Sequence, residues 1–224
     1  MSQIIFAEQT AAPSTPSSGK VAAYIDNTGV PLIKMVDDTG AVTTEIDDKL
    51  IRRAFSTGTV SGGYATDTLV AGTAITFPSG RPPVAGCTYH ARFDMVKTAA
   101  GTATPLIYVH FGTAGTVADA AIITHTFTAG TAAADTGTFE IWAHFRTVGS
   151  GTSAVLVSVC SVNHALAATG LTSGGTGGQF QTAVVSSGFD STVANSIISV
   201  SFNGGASFSG TCTLAEAELR NLSV

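Results

Sequence analysis

Five histidines are the side chains of this sequence most able to bind a metal ion or to carry a proton. They stand singly, at intervals of 15 to 20 residues: His90, His110, His125, His144 and His164. Close pairs such as His-x-His or His-Glu-x-x-His, which give one metal two ligands, are absent. The interval matches the spacing of the β-strands predicted below. Ligands from several strands could converge on a metal, but hydrogen-bonded or solvated histidines, one on each strand, are the favoured interpretation.

Nucleophilic and acid–base chemistry have weaker candidates. Cys160 and His164 could be a nucleophile and its base, but on a strand residues four apart are about 13 Å distant, too far for direct proton transfer. A glycosidase would need a pair of carboxylates, and several of the acidic residues that follow Phe55 stand in turn contexts. These acidic residues are Asp67, Asp94, Asp119, Asp135, Glu140, Asp190, Glu216 and Glu218. We expect no enzyme, and no catalytic, cofactor or metal site.

A glycine-rich stretch and a single tryptophan complete the candidates. Gly174-Gly175-Thr176-Gly177-Gly178 has no following Lys-Ser/Thr and no strand-to-helix setting, so it predicts a flexible loop and not a phosphate site. Trp142 falls on the polar side of its predicted strand. It could stack on a sugar, lie in an interface, or be a partly covered surface residue.

The composition excludes several classes of partner. Only 11% of the 224 residues are charged and 44% are hydrophobic, so a surface rich in Thr, Ser, Gly and Ala must keep the protein soluble. Such a surface can pack against copies of itself or against another protein shell. A net charge of −5 argues against nucleic acid. The first residues lack the pattern of a secretory signal, and no apolar run has membrane-spanning length. The three cysteines stand far apart and are odd in number, which argues against a disulfide framework. We expect synthesis and assembly in the cytoplasm, with no membrane partner.

Charge divides the chain into segments. Residues 1–55 carry 12 of the 25 charged residues, which marks a boundary near Phe55. We predict an extended arm over residues 1–19, an attachment segment made of a small β-meander and a connector over residues 20–55, and a larger domain over residues 56–224.

The attachment segment reads as three short strands. The runs Lys20–Ile25, Val30–Val36 and Ala41–Ile46 are rich in β-branched residues, and Asp-Asn-Thr-Gly and Asp-Asp-Thr-Gly separate them as turns. So small a meander cannot be stable alone and should dock on a neighbour. The following stretch, Asp47–Phe55, places three apolar residues on one helical face and predicts a short connector helix.

The arm cannot order itself. Fixing the backbone of each of its residues costs about 1–2 kcal/mol, whereas burying Ile4, Ile5 and Phe6 returns only about 1.5–3 kcal/mol apiece. We therefore expect something else to hold it.

The larger domain has the period of β-strands. Phe139, Ile141, Ala143 and Phe145 alternate with polar residues, and the stretch from Cys87 to Met95 does the same. Eight or nine such strands, separated by turn residues and without a helical period, predict an all-β jelly-roll sandwich. The interval Leu166–Val185 would be a long flexible insertion at one end.

The segments together resemble a known class of proteins. GKVAAYIDNTG and VDDTGAVTTEI are similar to the N-terminal attachment segments of tailed-bacteriophage virion proteins. The remainder, closing on ANSIISVSF and LRNLSV, resembles the jelly-roll modules of phage head-decoration and fibre proteins. The resemblance implies a trimer that stands on a capsid or tail, with the N-terminal part gripping the shell.

These observations lead to one expected function and two alternatives. We expect a capsid decoration (cement) protein that binds the major capsid protein and itself, and that resides in the virion. A tail or head fibre that binds a host receptor is the alternative in the same class, and a carbohydrate-binding module is the alternative of another class; a host glycan is a possible partner. The attachment interface is predicted at Ile4, Ile5, Phe6, Tyr24, Ile25, Leu32 and Ile33. The oligomer contact is predicted at Leu50, Ile51 and Ala54.

Overall fold

The computed structural model describes eleven stretches of the chain, and they form strands, turns and loops. These are residues 8–9, 11–20, 22–26, 32–36, 38–39, 42–44, 52–56, 60–61, 63–77, 82–174 and 179–220. The strands are β1 (Glu8–Gln9), β2 (Ala22–Asp26), β3 (Leu32–Val36), β4 (Val42–Thr44), β5 (Arg52–Ser56), β6 (Val60–Ser61), β7 (Thr68–Leu69), β8 (Ile75–Thr76), β9 (Thr88–Ala99), β10 (Leu106–Gly112), β11 (Ala120–Thr126), β12 (Asp135–Thr147), β13 (Val155–His164), β14 (Gln179–Val185), β15 (Ile197–Asn203), β16 (Ser209–Cys212) and β17 (Ala215–Arg220). None of the described segments forms a helix that could cross a membrane.

The N-terminal sheet has the order β1-β2-β3-β4. Strands β2, β3 and β4 pair antiparallel in sequence, which is the predicted meander. Strand β1 adds to it in parallel, with Glu8 opposite Ile25. The arm is therefore not wholly dependent on an outside partner, because part of it pairs with β2. A further tie runs from the backbone N–H of Gly19 to Oδ2 of Asp38, at 2.6 Å.

The large sheet has the order β14-β13-β12-β9, and two short strands continue it beyond β9. Strand β16 pairs with one end of β9 and β17 with the other end. Strand β6 lies outside β16, and β5 lies outside β17. The helix predicted over Asp47–Phe55 is therefore wrong from Arg52 onward, because Arg52–Ser56 is extended and hydrogen-bonds to β17.

The small sheet has the order β11-β10-β15, and both β7 and β8 pair with the far side of β15. Two late strands pair with strands from the beginning of the domain. Strand β15 pairs with β10 on one side and with β7 and β8 on the other, and β17 lies between β5 and β9. Apart from the N-terminal sheet, the described strands thus form two antiparallel sheets, and the predicted all-β sandwich of jelly-roll type is confirmed.

The core lies between the two sheets and follows from the alternation of the strands. Phe139, Ile141, Ala143 and Phe145 of β12 point inward and are at most 1% exposed. Aromatic rings link the sheets, since Phe202 of β15 contacts Phe139 edge-on with ring centroids 5.4 Å apart. One continuous cluster of buried apolar side chains runs through both sheets. Such a cluster stabilises the domain by roughly 1.5–3 kcal/mol per large side chain removed from water.

A buried lysine fastens the loops at one end of the sandwich. Lys97 is 1% exposed, and its Nζ donates to the carbonyl oxygens of Gly101 (2.8 Å), Gly170 (3.0 Å) and Thr131. Burial lowers the pKa of Lys97, and the charge of Asp135, opposite it in register, partly offsets that effect. The cation thus satisfies carbonyls from three loops that would otherwise lack a donor.

Asp135 fastens the same end of the sandwich from the neighbouring strand. Its Oδ2 contacts Nδ1 of His164 at 2.7 Å and accepts the N–H of Leu171 at 2.9 Å. The segment Gly170–Thr172 is buried. The prediction that Leu166–Val185 is a long flexible insertion is therefore wrong over two parts, because Gly170–Thr172 is buried and bonded and Gln179–Val185 is strand β14. Residues 175–178 lie outside the described residues.

Candidate functional site

The predicted attachment residues fall partly within the described residues. Tyr24 is 4% exposed and Ile25 is half-buried, both in β2. Leu32 and Ile33 lie in β3, opposite Asp26 and Ile25, and their side chains are outside the described part. The remaining three, Ile4, Ile5 and Phe6, lie outside the described residues.

The predicted oligomer contact changes its setting. Ala54 lies in β5 opposite Ala217, is half-buried, and packs against the sandwich core. The spacing of Ala54 from Leu50 and Ile51 predicted the apolar face of a helix, but Ala54 lies in a strand. Leu50 and Ile51 lie outside the described residues.

The five histidines fall one on each of the successive strands β9 to β13, as predicted. No group of three or more His, Cys, Asp or Glu within the described ranges could hold a metal ion. Cys160 is fully buried, and desolvation raises the pKa of its thiol. Cys160 and His164 both lie in β13, four residues apart on one strand, and Nδ1 of His164 contacts Asp135 and not the thiol.

A serine–histidine contact on the small sheet has the form that hydrolases use. Nε2 of His110 lies 2.8 Å from Oγ of Ser201, and Nδ1 lies 2.9 Å from the carbonyl oxygen of Asp119. Ser201 is 0% exposed and His110 is 1% exposed. A substrate carbonyl could not reach this oxygen, so the contact satisfies buried polar groups and carries no catalytic site.

Charge in the sandwich is concentrated on the outer face of the large sheet, which we call the charged face. Of the 13 charged residues after Phe55, seven alternate with core residues along β9 and β12 or along β17 and so point outward. They are Arg92, Asp94, Glu140, Arg146, Glu216, Glu218 and Arg220. The small-sheet strands β7, β8, β10, β11 and β15 contain no Asp, Glu, Lys or Arg.

Trp142 stands in the middle of the charged face and is stacked on one side. It lies opposite His90 in the β12–β9 register, and the two rings are 3.9 Å apart with an interplanar angle of 18°. The guanidinium carbon of Arg220 is 5.8 Å from the centroid of the indole. A ring held by such contacts loses little freedom when a ligand arrives.

Two carboxylates fix the histidine. Nε2 of His90 is 2.9 Å from Oε1 of Glu140, and Nδ1 is 3.4 Å from Oε1 of Glu218. Burial opposes ionisation of Glu218, but its hydrogen bond and charge pairing with Arg220 outweigh that effect, together with His90, and the pKa of Glu218 is lowered. The network thus runs across three strands and holds Trp142 in a set orientation.

A cleft of about 470 Å³ lies beside this network, at the junction between β16 and β17. Asp94 shapes its rim, because its Oδ1 accepts the N–H groups of Thr213 (2.8 Å) and Leu214 (2.7 Å). Leu214 is left 58% exposed at the edge. The lining residues are Ser56, Arg92, Phe93, Asp94, Thr138, Leu214, Ala215 and Glu216. The volume is within the range of small-ligand sites.

The cleft and Trp142 share a border. Arg92 lines the cleft and lies opposite Glu140, the residue that holds His90. Same-face neighbours on a strand are about 7 Å apart, so the stacked rings and the cleft form one continuous surface. The sequence predicted that Trp142 lies on the polar side of its strand and that β9 and β12 each have one polar side. It could not show that His90, Glu218 and Arg220 meet there, because strand register cannot be read from alternation.

Comparison with known proteins gives distant structural likenesses. No protein-family model matches the chain, and no curated protein matches it. The chain is similar to the CBM2 module of the evolved Dit of Lactobacillus casei BL23 phage J-1, at 8% identity and a TM-score of 0.25, over 77% of this chain and 91% of that one. It is also similar to a chain of infectious bursal disease virus, Gt strain, at 14% identity and a TM-score of 0.24, over 82% of this chain and 43% of that one. The VP2 subviral particle of infectious bursal disease virus gives 12% identity and a TM-score of 0.22, over 81% of this chain and 44% of that one.

Proposed function

We propose that this chain is a decoration (cement) protein of a tailed-bacteriophage capsid. In this proposal it binds the outer surface of the shell as a homotrimer and stabilises the shell. The arm and the N-terminal sheet contact the major capsid protein, and the sandwich projects outward. The chain is thereby a virion component with a structural and not an enzymatic role.

The pairing of the N-terminal sheet is the observation that supports this proposal most. Its strands β1 to β4 hydrogen-bond only with one another among the described strands. Among the described side chains of this sheet, only Tyr24 and Val36 are buried apolar residues. A sheet of this size needs further packing to be stable, and the surface of a shell would supply it.

Two features of the sandwich favour decoration over the fibre alternative. The small sheet has no charged residue in its strands, and such a surface can pack against a copy of the chain at low desolvation cost. A fibre would present loops to a host surface, and the predicted flexible insertion Leu166–Val185 would be one such loop. Part of that interval is buried and part is strand β14.

Attachment to capsids tests the proposal. In the full chain, replacing Ile4, Ile5 and Phe6 together by Ser removes the apolar side chains of the arm. We expect the variant to lose co-sedimentation with capsids of the phage that encodes the chain, by tenfold or more in affinity. Its thermal unfolding midpoint should stay within about 2 °C of the unmodified chain, because the sandwich core is untouched.

A matched control replaces three exposed apolar residues of the sandwich, Val117, Val193 and Leu214, by Ser. This control should bind capsids as the unmodified chain does, and the bound protein should have a mass three times that of the 22.5-kDa chain. Undiminished binding of the arm variant, or a monomer on the particle by native mass spectrometry, would contradict the proposal.

A further inference from the structure

The indole of Trp142 is half-buried, and one of its faces is stacked on a neighbouring ring. His90 stands on the neighbouring strand β9 and covers the indole face that is turned toward it. The other face is turned toward β13, where Val159 lies opposite Trp142 and Ala183 of β14 lies beyond. Val159 is half-buried and Ala183 is exposed. Val159 and Ala183 thus form a floor of short side chains beside the indole.

Hydrogen-bonding groups lie along this floor. Ser161 and Gln181 occupy the next outward positions of β13 and β14, and Glu140 is their neighbour on β12. A hydroxyl and an amide therefore lie one outward position, about 7 Å, along the strands from the ring, beside the carboxylate of Glu140, whose Oε1 contacts His90. An aromatic face with planar polar side chains beside it suits a ring that has an apolar side of C–H groups and an edge of hydroxyls.

The balance of charge selects the ligand. The charged face carries Arg92, Arg146 and Arg220 against four carboxylates, which are Asp94, Glu140, Glu216 and Glu218. An anionic ligand such as a phosphate or an acidic sugar would meet this excess of negative charge. A protein partner would have to desolvate the ionic groups at the centre of the face, whereas the cores of protein interfaces are depleted of charge. A neutral polyhydroxyl ligand avoids both costs.

We propose that the face of Trp142 turned away from His90, with the floor of Val159 and Ala183, is a binding site for neutral oligosaccharides. One sugar ring stacks on the indole, and Glu140, Ser161 and Gln181 hydrogen-bond to its hydroxyls. The adjoining cleft at Arg92 and Leu214 extends the site past Glu140. This inference does not depend on capsid attachment, which the Ile4, Ile5 and Phe6 variant tests separately.

Tryptophan fluorescence tests the site directly, because Trp142 is the only tryptophan in the chain. The full chain is titrated with neutral hexasaccharides of glucose, mannose, galactose and N-acetylglucosamine. Sialyllactose and a hexasaccharide of galacturonic acid serve as anionic comparisons, and calorimetry supplies the affinities of all variants. At least one neutral hexasaccharide should change the emission saturably, with a dissociation constant of about 1 mM or tighter.

Four variants sharpen the result. Trp142→Ala should weaken that binding at least tenfold, and Trp142→Phe should weaken it less because a ring remains. Ala183→Lys, at an exposed position, should also weaken it at least tenfold by covering the floor while leaving the tryptophan in place. Tyr108→Ala, an aromatic deletion on β10 of the small sheet, should leave it unchanged.

The outcomes that overturn the proposal are equally definite. They are the absence of saturable binding for every neutral hexasaccharide, binding of the anionic saccharides alone, and affinities that neither Trp142→Ala nor Ala183→Lys reduces. Equal loss of binding in Tyr108→Ala would also overturn it, since that variant alters the opposite side of the sandwich.

Discussion

The N-terminal sheet and the sandwich are both made of β-strands, but their described residues differ in how much apolar surface they bury. The sandwich buries one continuous apolar cluster that draws on both of its sheets, and buried hydrogen bonds of Lys97 and Asp135 connect the loops at one end. The N-terminal sheet has strands of two, five, five and three residues. Among its described side chains, Tyr24 and Val36 supply the buried apolar surface.

The difference bears on how each region meets the cost of becoming ordered. Fixing the backbone of each residue costs about 1–2 kcal/mol of conformational entropy, and burying each large apolar side chain stabilises the fold by about 1.5–3 kcal/mol. The sandwich has many core residues to meet that cost, whereas the described side chains of the N-terminal sheet include two buried apolar ones, Tyr24 and Val36. We therefore expect the small sheet to gain stability from contact with a larger surface, and the sandwich to fold without it.

Replacing Lys97 by Met should give the largest difference between the two regions. The change leaves the carbonyls of Gly101, Thr131 and Gly170 without their buried donor and leaves Asp135 without a nearby cation. We expect the free energy of unfolding of the sandwich to fall by about 3–5 kcal/mol, measured by urea denaturation.

The same substitution in the N-terminal region supplies the control. Lys20 is exposed, and Lys20→Met should change the free energy of unfolding by less than about 0.5 kcal/mol. Equal effects of the two substitutions would mean that the loss in Lys97→Met does not come from the buried hydrogen bonds of Lys97.

Acid should weaken the sandwich through His125 to a smaller extent. This histidine of β11 lies between the sheets, with Nδ1 2.7 Å from Oγ1 of Thr182 and Nε2 2.9 Å from Oγ of Ser158. Burial lowers the pKa of His125 from 6.5 to about 4. The folded state therefore favours the neutral ring, so its full stability is present above pH 6.5 and declines as the pH falls toward 4. We expect a loss of about 3 kcal/mol from this residue across that window.

Comparison with His125→Asn isolates this effect, since Asn keeps a polar side chain but does not titrate. Urea denaturation at pH 7.5, 6, 5 and 4 should show a smaller decline in the variant than in the unmodified chain. Parallel declines in the two proteins would assign the acid sensitivity to carboxylates such as Glu218, whose lowered pKa acts in the same direction.

The sequence predicted the features that depend on alternation. The inward set on β12 and the outward position of Trp142 follow from period 2 alone, and one histidine lies on each of five strands as the spacing indicated. The connector helix failed because local apolar spacing at Leu50, Ile51 and Ala54 fits a helix, whereas pairing of Arg52–Ser56 with β17 decides the conformation.

The candidate site could be predicted only in part. Trp142 was identifiable as an aromatic residue on a polar strand face. Its contact with His90 depends on the β9–β12 register, and the contact of His90 with Glu218 depends on the return of the chain as β17 beside β9. Contacts between residues so distant in sequence arise from the fold of the whole domain and leave no local pattern. The same holds for Lys97 and the loop carbonyls that it binds.

Hydrogen exchange of the full chain, alone and bound to capsids, tests most directly whether the N-terminal sheet gains its order from a larger surface. We expect the amides of β2 and β3 in the free protein to exchange at least a hundredfold faster than those of β12 and β13, and capsid binding to slow the β2 and β3 amides alone. Protection of β2 and β3 equal to that of β12 and β13 in the free protein would contradict this expectation.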